Sequence, residues 1–369
     1  MTRKIQMKII AGLGSVEEYE RFVYAGADEF FCGYVPYEWT KKYGTVMPLN
    51  RREVLSYNVQ IGSFSEMEIL SAMVKKSGRP VHLTFNSLYY IPEQYPEIAE
   101  IIKRCMEIGF HSYIIADPAL ILYLRQNQVD CEIHLSGETA EVNRGMLDFF
   151  RKMRLKRVIF HRKNTIEDMR SVIAYQRATE NMRPKTERSE HVRNVISEQS
   201  QLEFEAFALN ELCQFTGAFC NSLHCDEMGY LCRVPYRLET VNAGKVREST
   251  KSDKEISTET DLAGADLEQN TQNETTDCTE MCRGTDGYFC GETGCGLCAL
   301  YQLQEAGITH LKLVGRGNYT DFMEKDIRNL RRALGILEHS LSDTVYRQKL
   351  KKELFPYGCS GNCYYKKLI

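Results

Sequence analysis

The feature of this chain that most restricts its fold is a regular alternation of short apolar strands with amphipathic helices. Apolar runs typical of buried strands occur at 7–13, 27–34, 80–86, 112–117, 131–135, 157–160, 202–209 and 309–314. Helical patterns lie between most of them, at 15–26, 65–76, 96–109, 118–126, 143–154, 299–306 and 321–338. Neighbouring parallel strands need helical crossovers, so the alternation predicts a parallel α/β barrel or a doubly wound sheet.

Two polar segments interrupt this alternation. Residues 176–201 form a charged connection without a clear apolar period, and 240–279 are rich in Thr, Glu, Asp, Ser and Asn. A segment with so few apolar residues cannot bury enough surface to order itself, so 240–279 is predicted to be a disordered insertion. The remaining units are an amino-terminal β/α portion at 7–175, a carboxyl-terminal barrel portion at 202–239 and 280–340, and a cysteine-containing tail at 341–369.

Composition excludes several classes of protein. No apolar run approaches the roughly 20 residues that span a bilayer, and the first residues lack the apolar core of a signal peptide. We therefore expect a cytoplasmic protein without membrane insertion. A formal net charge of -3 provides no electrostatic reason for nonspecific binding to nucleic acid.

Polar residues follow several predicted strands at their carboxyl ends, namely Asn86, Asp117, and His134 with Ser136. In a parallel barrel these ends gather at one face, where active sites are built. The side chains are therefore candidates for one pocket, with helix capping or the satisfaction of loop amides as the alternative role.

Fourteen cysteines are the most unusual part of the composition, and nine of them fall between Cys213 and Cys298. In a reducing cytoplasm such a density favours metal chemistry over a disulfide framework. The tight Cys-x-x-Cys spacing of zinc sites occurs at Cys295 and Cys298, but not among the earlier cysteines Cys213, Cys220, Cys225 and Cys232. Spacing alone leaves zinc and an iron–sulfur cluster both open.

Seven short segments follow one another along the chain: GADEFFCG at 26–33, FSEMEIL at 64–70, IADPAL at 115–120, EIHLS at 132–136, RVIFHR at 157–162, EAFALNELCQFTGAFC at 205–220 and KLVGR at 312–316. In their shared order, these segments resemble the U32 peptidase family of collagenase-like proteins. The resemblance covers nearly the whole chain apart from the two polar segments. It implies a TIM-barrel-like parallel (β/α) barrel with a cysteine-rich carboxyl-terminal portion.

The resemblance also implies a cofactor and a reaction. Better understood members hold a [4Fe–4S] cluster and take part in oxygen-independent hydroxylation of ubiquinone precursors or of RNA bases, with prephenate as the implied oxygen source. The family pattern maps the cluster onto Cys213, Cys220, Cys232 and Cys298, with Cys225 and Cys295 as alternative ligands and zinc as the alternative metal. A paired U32-type subunit is a possible partner, and the substrate is expected to be a small molecule or an RNA.

The resemblance and the polar strand ends together give the candidate site residues. The catalytic candidates are Glu205, His134, Lys312 and Arg316. The candidates for the substrate pocket are Asn86, Asp117, Ser136 and Arg162. Cationic side chains would suit a small carboxylated molecule such as prephenate, because a buried anion needs cationic or hydrogen-bonding partners.

Two departures from the family pattern leave other functions open. The family histidine before the first cysteine is missing from Leu209-Asn-Glu, and Val314 replaces the glutamate of the family's KIEGR segment. The chain also lacks the Gly-x-Ser-x-Gly and His-Glu-x-x-His signatures, so proteolysis rests on the family's name alone. The rival hypotheses are a metal-dependent protease and a non-enzymatic iron–sulfur or zinc protein that binds a partner.

Overall fold

A computed structural model describes residues 6–44, 47–51, 59–139, 142–182, 201–213 and 286–365. The predicted insertion at 240–279 lies outside these residues, as do 183–200 of the polar connection. The same holds for five cysteines, Cys220, Cys225, Cys232, Cys278 and Cys282.

Eight parallel strands form a closed barrel in sequence order. They are β1 (Lys8–Leu13), β2 (Glu29–Gly33), β3 (Val81–Phe85), β4 (Ser112–Ile115), β5 (Glu132–Leu135), β6 (Leu155–Ile159), β7 (Glu203–Leu209) and β8 (His310–Leu313). Closure is made by β1 and β8, which place Lys8 beside His310 and Ile10 beside Lys312. The predicted (β/α) barrel is thereby confirmed, and the doubly wound sheet is excluded.

Helices join most of the strands and cover the outside of the barrel. In the described part of the chain they are α1 (Glu18–Ala25), α2 (Tyr37–Tyr43), α3 (Phe64–Ser77), α4 (Gln94–Glu107), α5 (Pro118–Gln126), α6 (Arg144–Phe150), α7 (Ile166–Met182), α8 (Leu300–Ala306), α9 (Thr320–Glu338) and α10 (Asp343–Leu354). The patterns did not predict α2, α7 or α10. None of these helices is long and apolar enough to cross a membrane.

Charged side chains and apolar side chains alternate in levels inside the barrel. Phe31, Ile159 and Phe207 each follow by two residues a buried charged residue on their own strand, so they form the next level toward the carboxyl ends. This apolar level contains Ile10, Phe31, Ile114, Ile159, Phe207, Val314 and Tyr364. It separates a buried ionic network from the mouth of the barrel.

Candidate functional site

A cavity of about 450 Å³ opens at the carboxyl ends of the strands. Its floor includes Phe31, Ile114 and Ile159, and its rim includes residues from the loops after β5, β7 and β8. The carboxyl ends of all strands of a parallel barrel converge at this face. The cavity therefore lies where barrel enzymes build their active sites. We call it the mouth cavity.

Cationic side chains dominate the polar lining of the mouth cavity. Among the described lining residues, Arg51, Arg162, Lys312 and Arg316 are cationic, whereas Glu138 and Glu211 are the acids. Glu138 holds two of the cations, since its carboxylate lies 3.2 Å from Arg162 Nη1 and 3.5 Å from Arg51 Nε. The excess of positive charge favours an anionic ligand.

Aromatic rings support two of these cations from below. Lys312 Nζ lies 3.7 Å from the centroid of the Phe31 ring, and the Arg162 guanidinium lies 4.0 Å from that of Phe207. Such cation–π contacts hold a charged group in a defined place while leaving its N–H donors available to a ligand.

The Lys312 amine forms a buried ion pair with Glu205. Nζ donates to Glu205 Oε1 at 2.8 Å, and the carboxylate is fully buried beneath the cavity. Burial lowers the pKa of Lys312, and Glu205 offsets part of that effect. Burial by itself would raise the pKa of Glu205, but Lys312 and Arg157 outweigh it and keep the carboxyl ionised. Lys312 is therefore a more acidic ammonium than an exposed lysine.

Beneath the apolar level, Arg157 is the centre of a buried ionic network. Its guanidinium contacts Glu29 at 2.8 Å, Glu203 at 2.7 Å and Glu205 at 3.2 Å. His310 Nε2 lies 2.9 Å from the same guanidinium. Glu205 therefore connects this network to Lys312 and so to the mouth cavity.

Two buried histidines extend the network across the barrel. His82 lies 2.9 Å from Glu29 and 2.5 Å from the Ser112 hydroxyl, and its ring packs 4.5 Å from that of His134. Burial lowers the pKa of His134 well below the usual value, with Arg157 as the next cause. A neutral His134 is thus favoured in the folded state.

The structure brings together six of the residues predicted from sequence. The mouth cavity is lined by Asn86, Ser136, Arg162, Cys213, Lys312 and Arg316. Asn86 accepts the Arg51 backbone N–H at 3.1 Å, which ties the long loop after α2 to the strand β3 end. Of the four strand-end candidates, Asn86 and Ser136 therefore lie at one cavity.

Three other predicted residues lie elsewhere. Asp117 is the N-cap of α5, where it accepts the Ala119 N–H at 2.8 Å, and it does not line the mouth cavity. The capping alternative describes it correctly. His134 and Glu205 lie deeper in the barrel, so Glu205 acts on the cavity through Lys312, and His134 does not line it.

Sequence reasoning missed Arg51, Glu138 and the aromatic supports Phe31 and Phe207. Glu138 comes two residues after Ser136, so it would have been a candidate if the search for polar residues had extended further beyond the end of the strand. No sequence pattern points to Arg51, because it lies in the loop between α2 and α3 rather than at the end of a strand. Of the two departures from the family pattern, Val314 lines the cavity, whereas Asn210 donates to Asp326 at 2.8 Å.

The cysteines divide between two places. Cys213 lines the mouth cavity, whereas Cys298 lines a separate small cavity together with Cys295, Cys359 and Cys363. Among the described residues, no three His, Cys, Asp or Glu side chains are arranged to hold a metal ion as they stand. The other two predicted cluster ligands, Cys220 and Cys232, lie outside the described residues, as does the alternative Cys225.

The chain is thus a parallel (β/α)8 barrel with a cationic cavity at the carboxyl face of its strands. The sequence model described as Peptidase family U32 matches residues 14–357. The chain belongs to this family, which confirms the resemblance found in its motifs.

Individual relatives are more distant. The chain is 32% identical over 71 residues to the tRNA hydroxylation protein P of Escherichia coli (strain K12); the match covers 19% of this chain and only 16% of that protein. The solved structure of the U32 peptidase Mk0906 matches 59% of this chain and 75% of its own, at 12% identity and a TM-score of 0.38. A structure described as native KDPGal matches 92% of this chain and 100% of its own, at 8% identity and a TM-score of 0.39.

Proposed function

We propose that this protein is a [4Fe–4S] enzyme, or a subunit of one, that binds a small carboxylated co-substrate in the mouth cavity. It acts in an oxygen-independent hydroxylation of a small molecule or an RNA in the cytoplasm. The observation that carries the proposal is the cationic lining of the cavity. The hydroxylation chemistry is supported by membership of the U32 family and by the similarity to the tRNA hydroxylation protein P.

The four cations suit a molecule with two carboxylates, such as prephenate. Arg51 and Arg162 share Glu138 on one side of the cavity, while Lys312 and Arg316 both contact Phe31 on the other. A guanidinium can bind a carboxylate through two parallel N–H donors, and Lys312 can add a point charge. Each pair would bind one carboxylate and so fix the orientation of the molecule between them.

Lys312 is also the candidate for proton transfer. Its amine lies in the cavity lining, and burial brings its pKa below that of an exposed lysine. Glu205 holds the ammonium from beneath and stabilises its charge. Lys312 would donate a proton to an oxygen that gains negative charge in the co-substrate, and Glu205 would act as its positioning residue.

The position of Cys213 supports the proposed set of cysteine ligands for the cluster. This thiol lines the mouth cavity and is close enough to Arg162 to raise the pKa of its guanidinium. A cluster held there would be next to the bound co-substrate. Thiolates are the soft ligands that iron–sulfur clusters require. Cys220 and Cys232 would complete three of the four ligands, with Cys298 or Cys225 as the fourth. When bound, the cluster would supply electron transfer.

The test combines iron analysis with binding of prephenate. Protein purified anaerobically should contain about four irons per chain. Lys312→Met should weaken prephenate binding at least tenfold in calorimetry, which corresponds to about 1.4 kcal/mol or more, while the iron content is unchanged. Lys325→Met, at an exposed lysine of α9, is the matched control. Stoichiometric zinc with no iron, or unchanged binding in Lys312→Met, would contradict the proposal.

A further inference from the structure

We propose that Cys295, Cys298, Cys359 and Cys363 form a second thiolate site that binds one zinc ion and joins the loop before α8 to the segment after α10. The mouth cavity contains none of these four cysteines among its described lining residues. The proposed site, which we call the tail site, therefore has its own ligands and its own place in the fold.

The four thiols line one small cavity. The same lining includes Gly296, Ser360 and Gly361, which lie between the paired cysteines in the sequence. Two residues separate Cys295 from Cys298, and three separate Cys359 from Cys363. Paired cysteines two to four residues apart are the arrangement that structural zinc sites use.

Backbone hydrogen bonds hold the two cysteine pairs side by side. The Cys295 N–H donates to the Asn362 carbonyl at 2.8 Å, and the Tyr364 N–H donates to the Cys295 carbonyl at 2.9 Å. The Ser360 hydroxyl adds a bond of 2.7 Å to the Gly291 carbonyl. These contacts place Cys295 next to Cys363 in a parallel bridge. The scaffold of the tail site is thus fixed by groups other than the thiols.

The surroundings favour thiolates once an ion is bound. The Leu297 backbone N–H donates to Cys295, two residues before it, and so stabilises negative charge on that sulfur. Lys351 and Arg347 of α10 act in the same direction on Cys298. A metal ion would replace the thiol protons, as it does in structural zinc sites.

Zinc is the ion that this donor set selects. Four thiolates in tetrahedral array are characteristic of zinc or of iron–sulfur centres, and the close spacing within each cysteine pair favours zinc. The sulfurs do not yet converge, since no three ligating side chains of the described residues are arranged around one point. Binding would turn the side chains about χ1 toward the cavity. Cys359 is exposed and leaves a path by which the ion enters.

The tail site has a consequence for the cluster of the proposed function. If Cys298 binds zinc, the fourth ligand of that cluster becomes Cys225, which lies between Cys220 and Cys232 in the sequence. This corollary rests on the proposed function, whereas the tail site does not. Zinc and iron contents are separate readouts, so failure of one proposal can be distinguished from failure of the other.

The first experiment measures zinc and iron in the full chain, purified anaerobically from medium that contains both metals. The wild type should contain about one zinc per chain. Cys359→Ser and Cys363→Ser should each lose most of that zinc and keep their iron. Cys290→Ser is the matched control, because Cys290 is buried in the same loop but does not line the small cavity. Zinc that persists in both tail variants, or iron lost in its place, would overturn the proposal.

A second experiment does not depend on whether the tail variants fold. In the double variant Cys213→Ser/Cys220→Ser, which removes two thiols of the earlier cysteine run, metal-free protein is titrated with Co²⁺ alone. Intense thiolate-to-cobalt charge-transfer absorption with tetrahedral d–d bands should appear at one equivalent, and Zn²⁺ should abolish it. Octahedral cobalt spectra without a thiolate band would refute the tail site.

Discussion

At the scale of single residues, Arg157 links three carboxylates inside the barrel. It contacts three carboxylates, Glu29, Glu203 and Glu205, and its side chain is only 3% exposed. Buried ion pairs add little stability when compared with a well-packed apolar core, but removal of one partner leaves charges buried without compensation. Arg157 is therefore the cation that these three carboxylates share.

Arg157→Met should lower the free energy of unfolding by about 3–5 kcal/mol, because it leaves three carboxylates without their shared cation. Urea denaturation followed by circular dichroism measures the change. Arg151→Met is the control, since Arg151 pairs at the surface with Asp148 and such pairs contribute at most about 1 kcal/mol. Equal effects of the two substitutions would show that the network is not held by Arg157.

Residues at strand ends were predictable, whereas residues that act from elsewhere were not. Asn86 and Ser136 line the mouth cavity because the ends of parallel strands must converge, whereas Lys312 was a candidate through its family motif. Arg51 escaped because its loop position depends on tertiary packing that no local pattern records. The inward position of Glu29 and Arg157 also escaped, because a charge on a strand normally indicates the solvent face rather than the inside of a barrel.

At the scale of helices and strands, the sequence predicts caps less well than it predicts the elements themselves. Ser15 and Glu18 match the capping-box spacing, yet α1 begins at Glu18 and no side chain caps it; Glu18 accepts the Gly14 and Ser15 N–H groups instead. A true capping box occurs at α3, where Ser63 and Glu66 bond each other's backbone N–H. Spacing alone cannot say on which residue the helix begins.

These two serines give a matched pair of substitutions. Ser63→Ala should destabilise the protein by about 1 kcal/mol, because the Glu66 N–H loses its acceptor at the start of α3. Ser15→Ala should change the stability by less than about 0.5 kcal/mol, since its hydroxyl caps nothing. Thermal unfolding of both variants against the wild type provides the measurement. A larger loss in Ser15→Ala would mean that α1 is capped as the sequence suggests.

At the scale of the whole molecule, the barrel was predictable because regular alternation and the ordered family motifs pointed to the same topology. Helix α7 was missed because it runs into the charged connection, which obscured its apolar period. Helix α10 was missed because its residues are mostly polar; only Tyr346 and Leu350 are buried. Whether such a polar segment forms a helix depends on the surface against which it packs, and that surface belongs to distant parts of the chain.

Buried histidines should make the whole protein sensitive to acid. Burial lowers the pKa of His82, His134 and His161, the last to about 4. An unfolded chain binds these protons near pH 6.5, so the folded state loses stability as the pH falls from that value toward 4. Stability should therefore be greatest near neutrality.

The His161→Gln variant tests this expectation. Between about pH 7 and pH 5 the wild type should lose roughly 2 kcal/mol more than the variant, because only the wild type must keep His161 neutral as the pH falls. Urea denaturation at both pH values gives the four free energies that are needed. Parallel losses in the two proteins would show that His161 is not responsible.

The pairing of β1 with β8 affects how the chain can be made in the cell. On the ribosome, the edge of β1 that pairs with β8 stays without its partner until His310–Leu313 has emerged, about 300 residues after β1. The contacts at the end of β7 form later still, because the Tyr364 and Tyr365 hydroxyls donate to the carbonyls of Asn210 and Phe207. Nascent chains therefore expose an unpaired strand edge until β8 is made, and protection by chaperones matters most before that point.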